Sequence, residues 1–311
     1  MTGFDLITMG RVGVDLYPEQ VGVPLAEVTT FAKSLGGSPT NVAVAAARLG
    51  DRSAVITKVG DDPFGAYVRA ALRGFGVDDR WVGTHPALRT PIVFCEIFPP
   101  DDFPLLFYRE PAAPDMTIAP AELDLDAIRA ARAFWTTGTG LSAEPSRSAT
   151  LAALAARSRQ PLTIHDLDHR PVFWEDEESA GQLAREALAH ATVAVGNRDE
   201  VAVAVGTRDP EAAAEALLDL GVELAVVKRG PEGTLARTRH ERVEVPPVPV
   251  DVVCGLGAGD AFGGALAHGL LQGWPLERTI RLANAAGAHV AARLACADAM
   301  PALGELEAMA A

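Results

Sequence analysis

Short apolar runs alternate with long alanine-rich segments along most of this chain, and that alternation limits the available folds more than any other feature. The runs Phe4–Met9, Ser53–Val59, Ala133–Thr137, Leu162–Asp166, Val193–Gly196 and Leu224–Lys228 read as strands. Between them, the spacing predicts a helix opening at Gly36-Gly37-Ser38-Pro39-Thr40 and running to about Leu49, and another ending near Phe75. The stretches 145–159, 177–190, 209–220, 260–272 and 276–292 are also predicted to be helical. Strands that alternate with helices imply an α/β fold, a largely parallel sheet covered by helices.

Two pieces break the rhythm. Residues 13–35 and 90–110 carry short β-prone segments, among them Ile92–Phe98 and Leu105–Tyr108, separated by prolines and acids. They are expected to form a small antiparallel β lid on the α/β body. A hairpin is expected over Gly233–Val245. With neither an internal repeat nor a low-complexity linker, residues 1–311 are expected to form a single domain.

The net charge of −14, with no lysine- or arginine-rich run, argues against nucleic acid or an anionic membrane as partner. A chain this acidic must bind phosphates locally, with glycine loops, a few basic side chains and a metal ion. Cys95, Cys254 and Cys296 lie far apart in sequence, which disfavours zinc or disulfide frameworks and fits a reducing compartment. The opening residues lead straight into a strand, and no apolar run reaches the ~18 residues of a membrane span. The expected location is the cytoplasm.

Chemistry concentrates at Cys254-Gly255-Leu256-Gly257-Ala258-Gly259-Asp260, directly before an apolar, alanine-rich segment. Glycines there let backbone N–H groups approach a ligand, and the start of a helix favours an anion. Asp260 would then stand as a carboxylate beside an anion site, where a phosphoryl-transfer enzyme needs a proton acceptor. A tight turn with an ordinary first-turn acid accounts for the same residues. The run is neither a dinucleotide fingerprint nor a Walker A loop.

Other polar clusters fall at predicted strand ends, where open parallel sheets bind ligands. Asp166-Leu167-Asp168-His169-Arg170 offers acids and an arginine for a phosphate and its metal, or a surface turn with a local ion pair. Asn197 either caps a helix or, with Glu200, lies near Mg²⁺. Lys228-Arg229-Gly230-Pro231-Glu232-Gly233 suits polyphosphate or a basic hairpin turn. Asp15 could accept hydrogen bonds from sugar hydroxyls, and Tyr108-Arg109 could clamp a carboxylate; a turn residue and a solvating edge charge are the alternatives. His165 and His169 read as structural.

Taken in order, Gly36-Gly37-Ser38-Pro39-Thr40-Asn41-Val42-Ala43, Gly60-Asp61-Asp62-Pro63-Phe64-Gly65 and Gly257-Ala258-Gly259-Asp260-Ala261-Phe262 resemble the signatures of the ribokinase-like, PfkB-type carbohydrate kinases. The resemblance covers essentially the whole chain. It implies ATP and Mg²⁺ as cofactors, with Asp260 as the catalytic base and Gly257, Ala258 and Gly259 as the anion hole. Asp15, Gly37 and Asn41 would contact the sugar. Lys228, Gly230, Gly233 and Asn284 would border ATP, and Asn197 with Glu200 would lie near Mg²⁺. The lid would form a homodimer interface.

Finer matches at Val14–Gln20, Phe107–Glu110 and Asp166–Trp174 resemble a subgroup that phosphorylates 5-dehydro-2-deoxygluconate, a keto sugar acid of inositol catabolism, at its 6-hydroxyl. Arg109, next to Tyr108, would then face the carboxylate, and Arg170, close to Asp168, the carboxylate or the phosphate. Kinases of 2-keto-3-deoxygluconate use a similar Tyr-Arg pair and remain the alternative. Cys254-Gly255 stands where many relatives have Asp-Thr, so potassium activation is not expected. A silent sugar- or nucleotide-binding protein is disfavoured by the intact Asp260. A nicotinamide-dependent oxidoreductase is disfavoured because Gly10-Arg11-Val12-Gly13 follows the first strand in place of Gly-x-Gly-x-x-Gly.

Overall fold

The computed structural model describes residues 3–310; the expected domain span also takes in residues 1, 2 and 311, which lie outside the described residues. The first third contains β1 (Leu6–Met9), β2 (Gly13–Pro18), β3 (Phe31–Gly36), α1 (Ser38–Arg48), β4 (Ser53–Gly60) and α2 (Pro63–Gly74). There follow β5 (Val82–His85), β6 (Ile92–Cys95), β7 (Leu105–Tyr108), α3 (Leu125–Ala130), β8 (Ala133–Thr137) and α4 (Ser146–Arg157). The chain continues through β9 (Thr163–Asp166), α5 (Glu177–Leu188), β10 (Val193–Asn197), α6 (Arg198–Val205), α7 (Pro210–Asp219) and β11 (Leu224–Lys228). Last come β12 (Thr234–Arg237), β13 (Arg242–Val245), α8 (Ala258–Leu271), α9 (Leu276–Ala291) and α10 (Leu303–Ala310).

The main sheet runs β13-β12-β11-β10-β9-β8-β1-β4-β5. Every pairing from β11 to β5 is parallel, and only β12 and β13 are antiparallel. Alternate strand residues point to opposite faces, and each face has its own core. Leu6, Ala133, Trp135, Val193, Val195 and Val226 pack with α1, α8 and α9 on one side. Ile7 and Phe134 pack with α4 on the other, beside Ala194, Ala225 and Val227 with α6 and α7. A glycine run in α8 allows the helix to lie close: a Cβ at Gly263 would sit 2.7 Å from the Trp135 ring, and one at Gly264 would run into the Ala45 methyl of α1.

The lid is a separate four-stranded sheet, β3-β2-β6-β7. Its pairing is not wholly antiparallel as the sequence suggested, because β2 and β6 run parallel. The long connection between them, containing α1, β4, α2 and β5, returns the chain to the lid in the same direction, as parallel pairing requires. The strand expected over Ile92–Phe98 ends at Cys95, and the ladder closes with a single bridge from Phe98 to Asp102 around Pro99-Pro100. Proline cannot donate to a ladder.

Candidate active site

The parallel strands bring their carboxyl ends to one edge of the sheet, and the residues of interest gather there. Asp260 lies in the first turn of α8, whose N-cap Gly257 has a left-handed backbone (φ 81°) and makes no side-chain cap hydrogen bond. A helix start left uncapped presents unpaired N–H groups. A Cβ on Gly257 would lie 2.6 Å from Cys296 Sγ, so the position accepts only glycine without rearrangement. Phe103, from the tip of the β6–β7 turn, packs over neighbouring Gly255 at 3.1 Å from where its Cβ would stand.

Asn41 reaches Asp260 from α1 and donates from Nδ2 to Oδ2 at 2.8 Å. Proline near the start of α1 and the left-handed Gly37 (φ 102°) at its N-cap fix where that helix begins. A Cβ at Gly37 would come within 2.5 Å of the Arg11 carbonyl, so the α1 start lies tightly on the loop leaving β1. Burial pushes the Asp260 carboxyl above the usual carboxylate range, against the hydrogen bonds from Asn41 and Ser38.

Asp15, in β2 on the inner face of the lid, is pushed up to about 7 by burial, against the attraction of Arg11 and with repulsion from Asp260. Tyr17 donates to Asp15 Oδ2 at 3.4 Å and also contacts Cys296 Sγ at 2.6 Å. Asp166, at the end of β9, is likewise held near 7 by burial, which Lys228 opposes and Glu200 reinforces. Burial raises Asp168 too, but Arg11, Arg170 and a hydrogen bond from Thr139 at 3.1 Å outweigh it and leave it below the usual range. Arg170 donates to Asp168 Oδ1 from Nε at 3.1 Å.

Lys228, last residue of β11, lies 3.9 Å from Asp166, 4.0 Å from Glu200 and 3.5 Å from where a Gly259 Cβ would stand. Burial favours its neutral form, yet Asp166, Glu200 and Asp260 overcome this and keep it a cation. It therefore stands as a positive charge at the mouth of the α8 turn.

Asn197 and Glu200 adopt the capping arrangement: Asn197 Oδ1 accepts from the Asp199 and Glu200 N–H groups, and Glu200 Oε2 accepts from Asn197 N at 2.7 Å. Asn284 Oδ1 accepts from Thr234 at 2.7 Å, and its Nδ2 donates to the carbonyls of Val245 and Pro246. Its amide thus fastens α9 to the β12–β13 hairpin. Gly230 and Gly233, both with positive φ, shape the turn after β11. His165, pushed down to about 4 by burial, is neutral and bonds Thr136 through Nδ1.

The Tyr108-Arg109 pair is placed differently from the expected clamp. Asp15 pairs across the lid with Val93, and Val93 with Phe107, so Tyr108, one residue on, points to the opposite face. It is 60% exposed and packs edge-on against Phe94. Arg109 does point inward, but its guanidinium is ion-paired with buried Asp115 and lies over Phe173. Asp115 Oδ2 also accepts from Val12 N at 2.9 Å, which makes it a brace between lid and β1. Sequence reading missed Asp115, and it gave Arg11 no role. Neither carries a motif, and only the fold brings them to the site.

The pfkB family carbohydrate kinase description matches residues 4–303. A 5-dehydro-2-deoxygluconokinase of Geobacillus thermodenitrificans is 34% identical, over 97% of this chain and 92% of its own. A Vibrio cholerae fructokinase, solved with fructose, ADP and potassium, superposes with a TM-score of 0.85 at 26% identity and covers 99% of both chains. An Escherichia coli candidate ribokinase II, solved with ATP and Mg²⁺, gives 0.89 at 24% identity over 98% of each chain.

Proposed function

Starting from this chain's membership of the pfkB family of carbohydrate kinases, which makes it a phosphotransferase with an alcohol acceptor, we propose that it phosphorylates the 6-hydroxyl of 5-dehydro-2-deoxygluconate. The observation that carries the mechanism is the Asn41–Asp260 hydrogen bond at the uncapped start of α8. The Asp260 carboxylate, oriented by Asn41, takes the hydroxyl proton. The freed sugar oxygen attacks the γ-phosphorus of ATP, and the bond to the ADP oxygen breaks. The N–H groups of the Gly257-Ala258-Gly259 turn hold the oxygens of the transferring group, and Lys228 adds its charge.

Asp15, Gly37 and Asn41 frame the sugar; Lys228, Gly230, Gly233 and Asn284 border the nucleotide. Mg²⁺ usually takes one or two carboxylates together with phosphate oxygens and water. Among the described residues no cluster of three or more His, Cys, Asp or Glu side chains that could hold a metal is present. Glu200, 4.0 Å from Lys228, and Asp166, 3.9 Å from it, are the carboxylates that would hold the metal, which would neutralise phosphate charge there. The names of the curated relatives support the substrate, and 2-keto-3-deoxygluconate is the competing acceptor. A single domain, a cytoplasmic location and a homodimer through the lid complete the reading; no described helix is long and apolar enough to cross a membrane.

The test is ADP release from Mg-ATP with 5-dehydro-2-deoxygluconate, 2-keto-3-deoxygluconate, fructose and ribose offered separately. Preference for the first supports the assignment, and preference for any other replaces the substrate. An Asp260→Asn variant that keeps near-wild-type turnover with ATP would remove the base.

A further inference from the structure

We infer that Arg11, on the loop leaving β1, is the residue that binds the carboxylate of an acidic sugar substrate and so sets the preference for sugar acids over neutral sugars. The inference rests on the sugar-acid reading above and assigns a residue to it.

The sugar region is strongly acidic, with Asp15, Asp168 and Asp260 around it, so an anionic substrate needs a cation to enter. Four cations stand near. Arg109 is committed to buried Asp115 and to the Phe173 ring. Lys228 faces the Gly259 turn and the Asp166–Glu200 pair, the phosphate side. Arg170 is hydrogen-bonded to Asp168 and is 42% exposed.

Arg11 differs from all three. Its side chain is 11% exposed, and its one ion pair is a long contact of 3.6 Å from Nε to Asp168 Oδ2. The buried Nε has no hydrogen-bond partner among the described residues. A guanidinium presents two parallel donors that match a carboxylate, and one left without hydrogen bonds costs stability unless a ligand completes it. Its charge is felt by Asp15, Asp168 and Asp260 together, which locates it among the three. Its backbone is fixed, because Thr40 Oγ1 donates to the Arg11 carbonyl at 3.2 Å and Gly37 packs directly upon it. With the backbone fixed, only the side chain remains to be ordered when it binds.

The test compares the wild type with Arg11→Gln, Arg11→Lys and Arg109→Gln, using 5-dehydro-2-deoxygluconate and fructose as acceptors. The readout is the ratio of kcat/KM for the acid to that for fructose, with ATP binding by calorimetry as a check on folding. Arg11→Gln is expected to lower the ratio roughly 10- to 150-fold, the loss of one hydrogen bond to a charged group. Arg11→Lys should recover part of it, since lysine keeps the charge and loses the fork. Arg109→Gln should lower it less than Arg11→Gln. An unchanged ratio in Arg11→Gln, or a loss confined to ATP binding, overturns the assignment and leaves the substrate intact. A wild type that turns over only neutral sugars overturns the sugar-acid reading and this one together.

Discussion

Gly257→Ala tests the anion turn most sharply, because its cost can be built from two separate terms. The left-handed backbone at φ 81° costs an alanine about 1–2 kcal/mol. The new methyl would lie 2.6 Å from Cys296 Sγ and 2.8 Å from its Cβ, and overpacking of that kind costs about 1–3 kcal/mol. Thermal unfolding should register roughly 2–5 kcal/mol, at about 2–4 °C per kcal/mol for a sizeable domain. Catalysis should suffer separately: displacing one anion-hole donor costs on the order of 100- to 1000-fold in kcat. Cys296→Ala in the same chain removes the sulfur but neither the Cβ at 2.8 Å nor the backbone strain. The double variant should therefore recover only the sulfur's share of the packing term, with a coupling energy of about 0.5–2 kcal/mol. The assay is paired: melting temperature, and ADP release under saturating Mg-ATP. Strict additivity of the two substitutions, or a Gly257→Ala protein with wild-type kcat, refutes the account of this turn.

Burial holds Asp260 above the ordinary carboxylate range, so kcat/KM should rise with pH along an acid limb that begins above the usual ~4; a limb at 4 would contradict this. Asn41→Ala removes a hydrogen bond that favours ionised Asp260, so the limb should move to higher pH and kcat should fall; an unmoved profile would show that the contact does not tune the base. Asp15 and Asp166 are near 7 in the fold against 3.8 when free, so above about pH 4 the unfolded chain holds fewer of these protons than the folded one. These two groups should therefore make stability decline from pH 4 to 7, read by urea unfolding across that range. Asn284→Ala should cost about 1–3 kcal/mol in unfolding free energy through the orphaned Thr234 hydroxyl and the carbonyls of Val245 and Pro246. A larger effect on ATP affinity than on stability would make it a nucleotide contact first.

The alternation of apolar and alanine-rich segments was enough to reach the α/β body, because each strand and helix is a local pattern. β8 and β11 lie where the sequence put them, Ala133–Thr137 and Leu224–Lys228. Short, weakly patterned elements escaped: β5 (Val-Gly-Thr-His) takes its place by pairing with β4, and six-residue α3 by packing Ile128. In the candidate site, two residues carried by glycine motifs come together in the fold, Asn41 and Asp260 meeting across the helices. Residues defined by distant partners were not legible in the sequence. Nothing local distinguishes Arg109, which is held by Asp115, from Arg11, which is left without a hydrogen bond at Nε. Tyr108 was misplaced because one step along a strand reverses its face.

The meeting of α1 and α8 has a mechanical consequence. Asn41 and Asp260 sit on helices wedged together where Gly264 admits the Ala45 methyl, and Trp135 backs Gly263 from the sheet. Backbone contact of that kind resists sliding, so the proposed base and the amide bonded to it behave as a fixed jaw. Asp15 rides on the other jaw, a sheet that touches the anion turn through Phe103 and Cys296. On the proposed reaction, travel that carries an acceptor hydroxyl onto Asp260 falls to the lid, and the α1–α8 half of the site can stay still while the Asp15 half comes to it.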